Sequence, residues 1–269
     1  MLVSLEGPNS TGKTTFAYTA PRPIVGFAFD LGWKRAIYGA KHDELFSGLS
    51  IKVHEYDLSV VDPPKVENDI TIYELPAPVQ LDQIRMKGVR DQWSYFIIRF
   101  GAAVTNPEVR SLVVDTMSSA RRIKADAFLE SLQDNTKPGE KMRERLIQIE
   151  YGNPNDAIRD LYSTSQGTHK NLVATHHLQD ERKDGIDKDG RIVQGMLTGN
   201  KVLEGLAKTH DLVDIALRME EQKGQIKAQF LKCGYNLALK NTGLDNPTWN
   251  TLVGQIESFT GDRLGLERA

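Results

Sequence analysis

Residues 7 to 14 read GPNSTGKT and satisfy G-x-x-x-x-G-K-[ST] at every fixed position, a pattern that few backbone arrangements accommodate. The preceding LVSLE has the apolar character of a short buried strand, and the following KTTFAYTA suits a helix. Strand, glycine loop and helix start, in that order, build a phosphate cradle. Gly7 and Gly12 permit a tight turn whose successive N–H groups face an anion, and the helix directs its positive dipole end at the same point. Lys13 brings a charge to the β- and γ-phosphates, and the Thr14 hydroxyl is placed for Mg²⁺. The nucleotide-binding set is therefore Gly7, Pro8, Asn9, Ser10, Thr11, Gly12, Lys13, Thr14 and Thr15. Pro8 has no N–H to donate, but it comes before the donors that matter.

Short β-rich runs alternate with helical patterns along the rest of the chain: PIVGFAFD at 23–30, IKVHEYD at 51–57, SLVVD at 111–115 and NLVATHH at 171–177. This alternation predicts an α/β fold, a mostly parallel central sheet flanked by helices, with antiparallel strands added near the C-terminus at QIKAQFLKCGYN and NLALKN. Trp93, Phe96, Ile97 and Phe100 fall at helical spacing and read as core. SSARRIKADAFLESLQDN is a second helix, and Asn155 is expected to cap a third that runs to about Ser165. KVLEGLAKTHDLVDIALRM reads as a helix followed by a strand.

The whole chain, 1–269, reads as one domain with two departures. Four prolines around NDITIYEL mark an insertion or extended loop at about 60–88. The charged, glycine-punctuated stretch at about 180–198 reads as a mobile polar loop or hairpin.

A phosphate loop needs a carboxylate near its metal before hydrolysis follows. The four apolar residues of SLVVD carry Asp115 to the carboxyl edge of the sheet, where it can hold Mg²⁺ through a water. The same text also fits an aspartate that only caps the next helix. NLVATHH should end with Thr175, His176 or His177 facing the γ-phosphate as a sensor of hydrolysis. Adjacent strand residues face opposite ways, so only one of His176 and His177 can serve, and both fit equally well as structural histidines. No partner ligands at suitable spacing make them a metal site.

Composition restricts the setting. A formal net charge of −2 advertises no polyanion partner overall, so nucleic acid has to be argued locally. The single cysteine, Cys233, excludes an internal disulfide and a multi-cysteine metal site. With no apolar stretch long enough to span a bilayer and no secretory signal, the sequence predicts a soluble cytoplasmic protein without membrane association.

The order of parts, GPNSTGKT, LVVDTMSS, YGNPNDAIRDL, then NLVATHHLQDE and a polar loop, resembles the phage RecA-like AAA-type P-loop ATPases, which include recombinases that promote single-strand annealing. The resemblance covers most of the chain outside 60–88. It implies a RecA-like domain that binds ATP and Mg²⁺ through Lys13, Thr14 and Asp115, and a DNA-facing loop from Asp180 to Thr198 with Arg182, Lys183, Lys188 and Arg191 as its cations. It further implies single-stranded DNA as partner, a homo-oligomer with nucleotide at subunit interfaces that Lys232 could reach, a single-strand binding protein, and the cytoplasm of a bacterial host.

Two features depart from that pattern. RecA-like proteins usually place a water-activating glutamate after the second strand, where this chain reads FAFDLGWKR with Gly32 at the aligned position; Asp30 is the nearest carboxylate and the candidate base. The 180–198 segment carries four cations and five acids (Asp180, Glu181, Asp184, Asp187, Asp189), a net −1. Lacking aromatics as well, it is a poor funnel for a polyanion. Arg121, Arg122 and Lys124 are an alternative basic cluster. Two other classes fit the phosphate loop: a nucleotide-dependent scaffold with little hydrolysis, and a small-molecule kinase with EKMRERL at 140–146 as a lid.

Overall fold

The structure is a computed structural model that describes residues 1–39, 43–80, 84–186, 192–261 and 265–268. Its centre is a nine-stranded sheet built from β1 (Leu2–Glu6), β2 (Ile24–Ala28), β3 (Ile51–His54), β4 (Ile70–Glu74), β5 (Ser111–Asp115), β6 (Asn171–His176), β9 (Ile215–Gln222), β10 (Gln225–Cys233) and β11 (Gly243–Asp245), in the order β11-β10-β9-β1-β6-β5-β2-β4-β3. The strands from β9 to β3 are parallel, and β10 runs antiparallel to both β9 and β11. β7 (Leu178–Ile186) and β8 (Ile192–Leu203) form a separate antiparallel arm.

This is the α/β arrangement expected from the sequence, a mostly parallel sheet flanked by helices with antiparallel strands added near the C-terminus; one strand, β6, separates the strand before the phosphate loop from the strand bearing Asp115. Strands β1, β2, β4, β5 and β6 are buried on both faces, which is why they read as near-continuous apolar runs.

Helices α1 (Lys13–Ala17), α2 (Gly32–Tyr38) and α8 (Trp249–Thr260) cover one face, where Val3, Leu5, Val113 and Val173 meet Phe16, Trp33 and Trp249. The other face carries α4 (Val89–Thr105), α5 (Met117–Asp134) and α6 (Gly152–Gly167), with Phe27, Leu112 and Ala174 against Phe96, Phe100 and Tyr162. Two short helices, α3 (Asp43–Phe46) and α7 (Thr209–Leu212), complete the set. Among the described residues no helix is long and apolar enough to cross a membrane.

Several sequence expectations change. The strand within 60–88 belongs to the central sheet: β4 is fully buried and lies between β2 and β3, with irregular chain on either side of it. Asn155 does not cap α6, which starts at Gly152; its Oδ1 accepts from Arg121 Nε at 2.8 Å. Lys201–Leu203 ends β8 instead of opening a helix, because pairing with Leu178–Asp180 satisfies its backbone. NLALKN is a 3₁₀ turn over Leu237–Leu239, and the closing strand is β11. Helix α8 adds to the expected elements: Thr248 caps it, and Trp249, Leu252, Val253 and Ile256 repeat at helical spacing.

Candidate functional site

The carboxyl ends of β1, β5, β6 and β2 bring the phosphate loop, Asp115, Thr175 and Asp30 to one edge of the sheet. Gly7 has φ +156°, and a Cβ there would lie 2.3 Å from the carbonyl oxygen of Met219 in β9, so no larger residue fits. Gly12, at φ 77°, turns the chain into α1. Between them Thr11 Oγ1 donates to the Pro8 carbonyl at 2.9 Å. Lys13 is buried, and its ammonium donates to the carbonyls of Gly7 at 2.8 Å and Pro8 at 2.6 Å. Burial pushes its pKa down, while the charges of Asp115 and Asp30 oppose that.

Asp115 and Thr175 share the α1 side of the sheet with Val113 and Val173. Thr14 Oγ1 donates to Asp115 Oδ2 at 2.9 Å, and the Thr175 hydroxyl donates to Oδ1 of the same carboxylate. Asp115 is 1% exposed. Burial, with the charge of Asp30 added, pushes its pKa up to about 6 against the hydrogen bonds from Thr175 and Thr14 and the charge of Lys13. It does not cap α5, where Thr116 accepts from the Ser119 N–H.

The donor set is a hydroxyl and a carboxylate, both hard oxygen ligands, which fits Mg²⁺. Among the described residues no three His, Cys, Asp or Glu side chains cluster as a metal cage.

Gly32 opens α2 beside this carboxylate. A Cβ on it would lie 2.8 Å from Asp30 Oδ1 and 3.9 Å from Thr14 Oγ1, so the Asp30 carboxylate fills the space that a side chain at position 32 would claim. Asp30 is exposed, and its Oδ1 accepts from the Gly32 N–H at 2.7 Å. A further acid at the sheet edge, Glu74 at the end of β4, carries no motif signal in the sequence. Trp33 Nε1 and Lys34 hold it, at 3.1 and 3.0 Å.

The histidines divide as strand alternation requires, and the residue facing Asp115 is Thr175. His176 points to the α6 side, buried, with Nε2 3.3 Å from the Tyr162 hydroxyl; burial drops its pKa to about 3. His177 lines a depression of about 430 Å³ beside the phosphate loop, with Gly7, Pro8, Asn9, Leu178, Lys201 and Glu204. Lys232 is elsewhere: its ammonium donates to the carbonyls of His210 and Val213, at 2.8 and 2.7 Å, on the α6 side of the sheet.

On the arm, Lys183 pairs with Glu181 at 2.7 Å and Arg182 donates to the Gly195 carbonyl at 3.4 Å; Lys188 and Arg191 lie outside the described residues. Of the alternative basic cluster, Arg121 stacks over Tyr151 and Lys124 over Trp93, at 5.4 Å each.

A strand-loop-helix phosphate cradle joined by hydrogen bonds to a strand-end aspartate, on a mostly parallel sheet, defines a nucleotide-binding P-loop protein. More particularly, the chain belongs to the AAA domain family, whose match spans residues 2–242. Among curated proteins none matches it. Among solved structures it is similar to that described as the crystal structure of the RadB recombinase, at 12% identity and a TM-score of 0.44, over 91% of this chain and 85% of that one.

Proposed function

We propose that the protein is a Mg²⁺-dependent ATPase whose turnover is coupled to single-stranded DNA at the β7–β8 arm, acting in phage recombination, annealing or replication. The observation that carries the hydrolytic part is the Thr14–Asp115–Thr175 chain of hydrogen bonds, which ties the phosphate loop to the ends of two sheet strands.

In this reading the loop amides and Lys13 bind the triphosphate, and Lys13 must leave the Gly7 and Pro8 carbonyls to do so. Thr14 and, through a water, Asp115 would hold Mg²⁺, which would supply charge neutralisation along the phosphates. Asp30 accepts a proton from water; the water oxygen bonds to the γ-phosphorus while the bond to the β–γ bridging oxygen breaks, and ADP departs with that oxygen. Thr175 is the γ-phosphate sensor, since it touches Asp115 and stands near the end of β6, three positions before the arm begins at Leu178. Oligomers with nucleotide at their interfaces, a single-strand binding protein and the cytoplasm of a bacterial host complete the proposal; for Lys232 to reach a neighbouring subunit's nucleotide, its ammonium must leave the His210 and Val213 carbonyls.

The test is ATP hydrolysis titrated with single-stranded DNA, with Lys13→Ala as control. Stimulation of about tenfold, worth about 1.4 kcal/mol of barrier, supports DNA coupling. Lys13-dependent binding without turnover replaces the proposal with a nucleotide-dependent scaffold, and turnover that needs a small acceptor and ignores DNA replaces it with a kinase.

A further inference from the structure

Glu6 is the last residue of β1 and the neighbour of Gly7. It is 1% exposed, on the face opposite α1. Its Oε1 accepts from Arg218 Nε at 2.8 Å and from the same guanidinium's Nη2, and its Oε2 lies 3.0 Å from His210 Nε2. Burial raises its pKa, but the bonds from His210 and Arg218 outweigh burial and hold the carboxyl below its ordinary value. A buried carboxylate gripped by a two-point fork is an expensive feature for a strand end unless its position matters.

Arg218 also reaches out of this pair, because its Nη2 donates to the Lys201 carbonyl in β8 at 3.4 Å. One guanidinium thus joins the residue before the phosphate loop to the base of the arm. The backbone beside it is equally constrained, since the Met219 carbonyl blocks any side chain at Gly7. Glu6 is also paired with Arg218 in the β1–β9 register, so the start of the loop lies directly against the Arg218–Met219 backbone. A separate link leads from α5, where the Ser118 hydroxyl donates to the Glu204 carbonyl at 2.6 Å and accepts from the His177 N–H at 3.1 Å.

We propose that Arg218 is a positioning residue that, through Glu6 on one side and the Lys201 carbonyl on the other, transmits occupancy of the phosphate loop to the β7–β8 arm. The proposal rests on the reading that the chain binds nucleotide. Loop rearrangement on binding shifts Glu6, and the fork carries that shift to the arm's stem. Arginine suits the task because lysine offers no second, rigidly oriented donor to hold both acceptors.

The test uses the full chain with a fluorescent ATP analogue and Mg²⁺, reading nucleotide affinity and amide hydrogen exchange of residues 178–186 and 192–203 in the same samples. In the parent protein the analogue should slow exchange in the arm about tenfold. Arg218→Met should still bind the analogue, with less than a twofold arm response. Arg218→Lys, which keeps a charge against Glu6, should fold and lose the response as well, and so guards against failure of the methionine variant to fold. A full response in either variant overturns the proposal. So does a response lost in Ser118→Ala and kept in Arg218→Met, which assigns the coupling to α5. Analogue bound by the parent with no arm response also refutes this inference alone, whereas no analogue binding by the parent refutes the proposed function itself.

Discussion

Asp115→Asn separates the role of the carboxylate in the fold from its role in the site. Asp115 has its pKa raised from the ordinary 3.8 to about 6, chiefly by burial. The folded protein therefore holds a proton between about pH 4 and 6 that the unfolded chain has released, and stability falls as pH rises through that window. Above it the ionised group costs about 3 kcal/mol, taking the difference of roughly two pH units at about 1.4 kcal/mol each. Asparagine keeps the shape, and both threonine hydroxyls can turn to suit it. Without nucleotide and in a metal chelator, thermal unfolding should therefore show Asp115→Asn more stable than the parent by about 5–10 °C at pH 8. The two should converge near pH 4. Mg²⁺ with ATP should then stabilise the parent and leave the variant little changed. An equal gap between the two proteins at pH 4 and pH 8 would refute the reasoning, since burial of an ionised carboxylate could not be its cause.

Asp30→Asn should lower ATP turnover at least 100-fold while nucleotide affinity, measured by titration, changes less than threefold; a loss of binding instead would make Asp30 part of the cradle. Thr175→Val removes a hydrogen bond that favours ionised Asp115, so the pH at which metal-free stability falls should move upward, and turnover at pH 7 should drop about tenfold; parallel pH–stability curves would count against it. Tyr18 is fully buried with an unpartnered hydroxyl, so Tyr18→Phe should hold or raise stability by about 1 kcal/mol in urea unfolding, and a loss of 2 kcal/mol would point to a hidden partner for that hydroxyl.

The phosphate cradle was legible in the sequence, since Gly7, Gly12 and Lys13 are fixed by backbone and charge requirements that act within eight residues. So was the strand that ends at Asp115, because a strand buried on both faces must be apolar throughout. The face of each strand end was a different matter. That Thr175, and not His176, meets Asp115 depends on the register of β6 against β5, which local text does not encode. The placement of β4 inside the sheet followed from pairing with β2 and β3, against the loop signal of its flanking prolines. The Glu6–Arg218–His210 cluster joins residues more than 200 positions apart. Only the tertiary structure decides such a contact, because burial cost and hydrogen-bond geometry select partners in space and leave no periodic mark along the chain.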